Sequence, residues 1–328
     1  MRLKATYILT AKHIKSLKDE KEIIREVEKA FVAYAQDKAQ MPSKVYLDLK
    51  EHNGDFRAMP AYLPHTKSAS LKWVNVHPNN KALPTVMGTI ILSDPKTGFP
   101  QSIMDGTLIT KWRTAAASAV ATKYLAPKKS SVLSIIGCGA QALSQVHFIN
   151  CVMNVKKVCL WDIDIKQAKI LCAQLRKSFD EVIVCETART CVTDADVIVT
   201  LTPSRKPLIK KQWLKEGVHI NAIGADAPGK QELDNNILES AGIIIDDWDQ
   251  ASHSGEINVA VHQKKVRRRN IRAMIGEVIL KKSKGRRAQN EITVFDSTGL
   301  AIQDTAVASL MYRLAIKEKI GKRINLID

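Results

Sequence analysis

Residues Gly137-Cys138-Gly139-Ala140-Gln141-Ala142 follow an apolar run, Val132–Ile136, and open a helix-forming stretch. A strand, a glycine turn and a helix in that order make a cradle for pyrophosphate. The first glycine permits the tight turn, and the second lets backbone approach the phosphates. The helix N-terminus offers free N–H groups and the positive end of its dipole. Ala142 stands at the third fingerprint position, which the G-x-G-x-x-A form accommodates. Asp162 ends the next apolar run at the spacing of the acid that accepts hydrogen bonds from an adenosine ribose. A carboxylate there repels a 2′-phosphate, so the expected cofactor is NAD rather than NADP. The alternative is an accidental turn with Asp162 as a capping residue. Two other residues stand out by placement. Lys72 lies between Leu71 and Trp73 and needs a reason to be half-buried there. Asp226 lies just past the run His219–Ile223, at the strand end where open α/β sheets bind ligands. Pro228-Gly229 follows directly, which leaves a turn or N-cap role open for it.

These residues need a scaffold, and the apolar pattern supplies one. Asp19 to Tyr34 carries Ile23, Ile24, Val27, Ala30, Phe31 and Tyr34 at helical spacing. Short strand-like runs follow at Val45–Leu49, Ser70–Val76, Thr85–Leu92 and Gln101–Met104, separated by turn residues such as Asn53-Gly54-Asp55 and Pro78-Asn79-Asn80. Ile109 to Leu125 is alanine-rich and reads as a helix leading into the next domain. From Ser131 onward, strands and helices alternate. Val132–Ile136, Val158–Trp161, Val182–Val184, Val197–Thr200, His219–Ile223 and Ile243–Ile245 are continuous β-branched runs, as in a parallel sheet covered on both faces. Helices are expected at Ala140–Cys151, Ile165–Lys177 and Ala301–Lys319. The expected class is α/β: a Rossmann-type doubly wound parallel sheet, plus an α+β domain. The boundaries read as 1–115 joined by 300–328 for the α+β domain, and 116–299 for the dinucleotide-binding domain.

Composition narrows the class. The chain has 328 residues, 45% of them hydrophobic and 25% charged, which is ordinary for a globular protein of one or two domains. No apolar run is long enough to span a bilayer. The stretch Met1–Ile8 lacks the apolar core of a leader, so a cytoplasmic setting without a membrane partner is expected. The six cysteines show neither C-x-x-C spacing nor a nearby His at zinc spacing; free thiols and no metal are the expectation. The net charge of +17 raises nucleic acid as a partner. Its densest runs, 264–269 and 281–287, carry no interleaved aromatics, so they read as solvated faces and no nucleic acid is expected.

The stretches Asp105–Ala117 and Ile136–Ala142 resemble the ornithine cyclodeaminase/mu-crystallin family. So do Ala39–Leu47, Arg57-Ala58-Met59-Pro60-Ala61, Leu71-Lys72-Trp73-Val74-Asn75, Leu83–Met87, Thr202–Pro207, His219–Leu233 and Phe295–Ala301. The resemblance covers essentially the whole chain and is strongest to the archaeal-type alanine dehydrogenases of that family. It implies a homodimer, with the first and last segments forming a substrate and dimerisation domain. It also implies that Lys44, Lys72 and Arg113 surround a substrate carboxylate, with Asp226 as the acid/base group and Lys72 assisting. The implied cofactor contacts are Thr85, Thr114, Gly137, Gly139, Ala140, Gln141, Asp162, Thr202, Ile223, Lys230 and Ser297. On local sequence alone, several of these fit a turn or cap equally well.

The implied reaction is oxidative deamination of a small amino acid, L-alanine, to pyruvate and ammonia, and its reverse. Cyclodeaminases of the family place a Glu where this chain has Arg57, and a cation there repels the second ammonium of ornithine. Arg57 has further readings, as a substrate carboxylate contact or as the partner of Asp55 or Asp48. The alternatives are an ornithine cyclodeaminase, a cyclic-imine or ketimine reductase, and a non-catalytic binding protein in the style of mu-crystallin.

Overall fold

A computed structural model describes residues 5–327. Residues 1–4, half of the stretch expected to lack a leader's apolar core, and residue 328 lie outside them. The chain divides into two compact units. One comprises the described residues up to Thr114 together with those from Leu300 onward; the other is Ala115–Gly299.

The first unit is built on a seven-stranded sheet in the order β15-β1-β6-β5-β4-β3-β2. Its strands are β1 Thr6–Leu9, β2 Val45–Leu49, β3 Gly54–Leu63, β4 Ser68–Val76, β5 Val86–Ser93, β6 Pro100–Asp105 and β15 Lys322–Ile324. β1 and β6 run parallel, and the other neighbours are antiparallel. Three strands escape the sequence pattern here, β15 among them with only three residues. β1 is only four residues long. β3 begins at Gly54, inside the expected turn, and carries Pro60, which hides its alternation. The side chains of β4 alternate between the two faces, as a strand with one covered face requires. Ser68, Ser70, Lys72 and Val74 are buried, whereas Leu71 and Trp73 are exposed. The buried face lies under the helix Ala301–Glu318, which packs on β3, β4 and β5. Ser70 and Thr305 share a hydroxyl hydrogen bond of 2.7 Å, and Ser68 Oγ donates to Ser309 Oγ at 3.2 Å. The helix Glu20–Ala35 is capped by the Asp19 carboxylate on Glu22 N–H and packs on the same terminal helix.

The second unit is an eight-stranded parallel sheet in the order β13-β12-β14-β11-β10-β7-β8-β9. Its strands are β7 Val132–Ile136, β8 Lys157–Trp161, β9 Glu181–Val184, β10 Val197–Thr200, β11 His219–Ala222, β12 Gly242–Ile245, β13 Ile271–Met274 and β14 Thr293–Asp296. β10, β11, β12 and β14 are buried at every position, which is why their sequences run apolar without alternation. The order 9-8-7-10-11 reverses direction between β7 and β10. That is the topological switch point at which doubly wound sheets open a crevice. The fold is thus α/β of the Rossmann type, as the sequence predicts. Helix Ala142–Asn150 starts two residues later than expected, because Gly139 to Gln141 are spent on the turn.

Candidate functional site

In the first unit, a cluster of charged side chains is buried among the apolar core. Lys72 is 1% exposed and Asp304 is fully buried. Lys72 Nζ lies 2.7 Å from Asp304 Oδ2, a contact that is an ion pair rather than a well-aligned hydrogen bond. Arg113 Nε donates to the other oxygen, Asp304 Oδ1, at 3.1 Å, and its terminal nitrogen donates to Gln303 Oε1 at 3.0 Å. One carboxylate therefore anchors two cations. These come from a strand, β4, and from the helix Gly106–Leu125, whereas the anchor comes from the terminal helix. Lys44 immediately precedes β2. The pairing of Val45 with Ala58, and of Met59 with Lys72, puts it on the same row as Lys72.

Burial brings the Lys72 pKa down to about 7; Asp304 opposes that shift, and Arg113 and then Lys44 add to it. Lys72 and Arg113 share the one carboxylate of Asp304, so with Lys72 protonated the cluster holds positive charge that an incoming anion would balance. Gln303 Nε2 is a buried donor with no acceptor among the described residues. A carboxylate bound at Arg113 would supply the kind of acceptor it lacks.

Arg57 follows one of its open readings. Its guanidinium binds both oxygens of Asp55, at 2.8 and 3.0 Å, and lies 5.3 Å from the centre of the Tyr46 ring. This pair offsets the charge on which the repulsion of ornithine's second ammonium rests. What still departs from the cyclodeaminase pattern is the absence of a Glu at position 57. Thr85 is exposed just before β5, and the Thr114 hydroxyl donates to the Thr110 carbonyl at 2.7 Å.

In the second unit, the expected cofactor residues gather at the carboxyl ends of the parallel strands. Gly137 follows β7 with φ +97°, in the left-handed region. A Cβ there would meet the Thr202 methyl at 2.8 Å. Above Gly139 nothing lies within 4 Å of such a Cβ, so the backbone is open to close approach by a ligand. No side chain caps helix Ala142–Asn150; the Ala142 N–H donates to the Gly139 carbonyl at 3.1 Å, and the positive end of the helix dipole faces the turn. Asp162 directly follows β8 beside this turn; Oδ2 accepts from Cys138 N–H at 2.7 Å and Oδ1 from Asp164 N–H at 2.9 Å. Each oxygen keeps a lone pair for a ribose hydroxyl. These features fit a dinucleotide: a turn without Cβ obstruction, an uncapped helix start and an acid at the second strand end.

Thr202 follows β10, Ile223 follows β11 and Ser297 follows β14. Asp226 lies four residues past β11 and forms an ion pair with Lys230. Sequence reasoning missed the residue that fixes these loops. Glu232 Oε1 accepts from both Thr202 N–H and Thr202 Oγ1 at 2.7 Å, and Oε2 accepts from Gly224 N–H at 3.0 Å. Glu256 binds Glu232 N–H and Leu233 N–H, and Asp296 in turn binds Glu256 N–H and Ile257 N–H. Burial pushes Glu232 and Asp296 each up to about 7. Asp304 was missed too. Its only sequence signal is Gln303-Asp304 within an otherwise small and apolar helical run.

Comparison with known proteins agrees with this architecture. The family model for ornithine cyclodeaminase/mu-crystallin matches residues 4–319. The alanine dehydrogenase of Archaeoglobus fulgidus is 50% identical over 323 residues, covering 97% of this chain and 98% of the relative. A solved archaeal alanine dehydrogenase dimer with bound NAD superposes with a TM-score of 0.94 at 48% identity, covering 98% of this chain and all of the other. The Δ1-pyrroline-2-carboxylate reductase of Thermococcus litoralis, solved with NADH and L-proline, superposes at 0.95 with 35% identity, covering 97% and 100%. A match of that extent, on a chain whose fold and glycine turn agree with it, settles membership: the chain belongs to the ornithine cyclodeaminase/mu-crystallin family.

Proposed function

We propose that this protein is an NAD-dependent amino-acid dehydrogenase that interconverts L-alanine with pyruvate and ammonia. The observation that carries the reading is the cation surplus around Asp304, which suits a substrate with one carboxylate and no second ammonium. The near full-length similarity to an alanine dehydrogenase supports the same substrate. Lys44, Lys72 and Arg113 hold the carboxylate. Gly137, Gly139, Ala140 and Gln141 cradle the pyrophosphate, Asp162 takes the ribose, and Thr202, Ile223, Lys230 and Ser297 line the cofactor's path. NAD held there would supply the hydride acceptor for C2 of the amino acid. Asp226, oriented by Lys230, takes the proton of the water that adds to the resulting iminium carbon. Lys72, with a pKa of about 7, exchanges a proton with the departing amine near neutral pH.

The outer face of the first unit's sheet supports a homodimer. Val45, Leu47, Leu71, Trp73 and Ile91 share that face and are 64%, 51%, 36%, 42% and 39% exposed. A contiguous apolar face of this kind calls for a cover, and a second copy supplies one.

A cyclic-imine reductase is the second reading, favoured by the similarity to the L-proline complex. The test is a substrate panel: NAD with L-alanine, L-ornithine and L-proline, and NADH with pyruvate plus ammonia and with pyrroline-2-carboxylate. The expected result is turnover of alanine and of pyruvate plus ammonia, with no proline formed from ornithine. Reduction of pyrroline-2-carboxylate without turnover of alanine replaces the first reading with the second. Asp226→Asn is expected to bind NAD and lose turnover; full activity in that variant removes Asp226 from the mechanism.

A further inference from the structure

The second unit carries a cavity that the proposed reaction does not use. It has a volume of about 640 Å³ and is lined by Lys123, Lys128, Lys129 and Lys156, with Ser130 and Asn154 among its polar walls. No carboxylate lines it. Lys128, Lys129 and Lys156 have no carboxylate within ion-pair distance among the described residues. The cavity is built on a fixed turn. Ser130 N–H and Ser130 Oγ both donate to the Pro127 carbonyl, at 3.1 and 2.7 Å, and so hold Lys128 and Lys129 on the bend between them. Asp196, which binds the Ser131 and Val132 N–H groups, is itself paired with Lys215.

The position separates this cavity from the dinucleotide turn. Ser131 immediately precedes β7 and Lys156 immediately precedes β8, so the cavity lies at the amino edge of the sheet. The glycine turn lies at the carboxyl edge, one strand length away, roughly 16 Å for five residues. One of the two basic runs noted in the sequence joins the same edge. Arg286 Nε donates to the Leu125 carbonyl at 2.7 Å, which brings the run 281–287 against the segment that leads into the lysine turn. A concave wall of cations beside a second cationic run concentrates positive potential where a compact anion fits.

We propose that this cavity binds a compact polyanion carrying three or more negative charges on adjacent phosphate groups, such as a linear triphosphate. The size falls in the range of small-ligand pockets, roughly 300–1,000 Å³. An extended nucleic acid is the poorer fit, because no aromatic side chain lines the cavity to stack a base. Inorganic tripolyphosphate and a nucleoside triphosphate share the recognised chemistry, and comparing them tells whether the base contributes.

The test is calorimetric titration of the full-length protein with inorganic tripolyphosphate and with ATP, at physiological salt. Charge reversal at two exposed positions, Lys128→Glu with Lys129→Glu, is expected to weaken tripolyphosphate binding by at least about tenfold. The charge-matched control, Lys264→Glu with Lys265→Glu, is expected to change it by no more than about twofold, since neither residue lines the cavity and exposed charges are screened by salt. Saturating NAD is expected to leave the affinity unchanged. Equal weakening in both double variants overturns the proposal, because only net charge is then at work. Displacement by NAD overturns it by placing the phosphates in the dinucleotide cradle. A single-stranded oligonucleotide that binds about tenfold tighter than tripolyphosphate overturns the compact class in favour of an extended polymer.

Discussion

Asp304→Asn is the most informative substitution in the first unit, because it keeps the shape of the side chain and removes its charge. In the native protein this carboxylate holds Lys72 Nζ at 2.7 Å and Arg113 Nε at 3.1 Å, all three groups being nearly free of solvent. Breaking a buried pair by removing one partner costs about 3–5 kcal/mol. Lys72 has a way to soften that cost. Its pKa of about 7 already reflects burial and the nearby Arg113 and Lys44, with Asp304 as the main group opposing them. Without Asp304 the amine sheds its proton at lower pH, and a fall of about two units corresponds to roughly 3 kcal/mol. The assay is the pH profile of kcat/KM for alanine oxidation, beside urea unfolding. If neutral Lys72 is the reactive form, wild-type activity rises as pH climbs through about 7. In the variant this limb is expected to move down by about one to two units, with a loss of roughly 3 kcal/mol in stability near pH 6. A loss of stability with the limb unmoved would refute the idea that Asp304 sets the ionisation of Lys72.

Four further substitutions test other parts of the molecule. Gly137→Ala is expected to lose roughly 1–3 kcal/mol of stability, because φ is positive and Thr202 stands in the way, whereas Gly139→Ala is expected to melt as wild type yet raise the KM for NAD by about tenfold or more. Asp162→Ser is expected to shift the ratio of kcat/KM for NAD over NADP toward NADP by about tenfold, measured with both cofactors at saturating alanine. Trp73→Glu, on the exposed apolar face, is expected to shift sedimentation toward monomer with the far-ultraviolet dichroism unchanged; an intact dimer removes this face as the interface.

Much of this architecture is legible in the chain, and the exceptions have physical causes. The parallel strands of the second unit advertise themselves because both of their faces are covered, and unbroken β-branched runs are rare elsewhere. The glycine turn is legible because only a few residue types satisfy a positive φ beside a close ligand. β3 is obscured because Gly54 and Pro60, ordinarily punctuation, fall inside a ten-residue strand. β14 spans four residues and β13 carries Arg272, whose charge is answered by Glu291. Of the site, the cations and Asp226 are readable, but their anchors are not. Asp304 and Glu232 act through partners distant in sequence, and no local pattern shows which buried acid will meet which cation or N–H group. Arg57 makes the same point in reverse: its charge is plain in the sequence, and its partner Asp55 is what alters its meaning.

The terminal helix Ala301–Glu318 also places the first unit on a clock. Its Thr305 meets Ser70 across 235 residues of chain, and its Asp304 completes the cluster around Lys72. During synthesis at about 5–20 residues per second, roughly 10–50 s separate the emergence of β4 from that of its cover. For that interval the strand face bearing Lys72 has neither its helix nor its counter-charge, while the inserted unit Ala115–Gly299, which has core clusters of its own, is already being made. The cation cluster therefore comes into being only when translation has passed the last helix, and a nascent chain stalled short of it would carry the glycine turn but not the cluster.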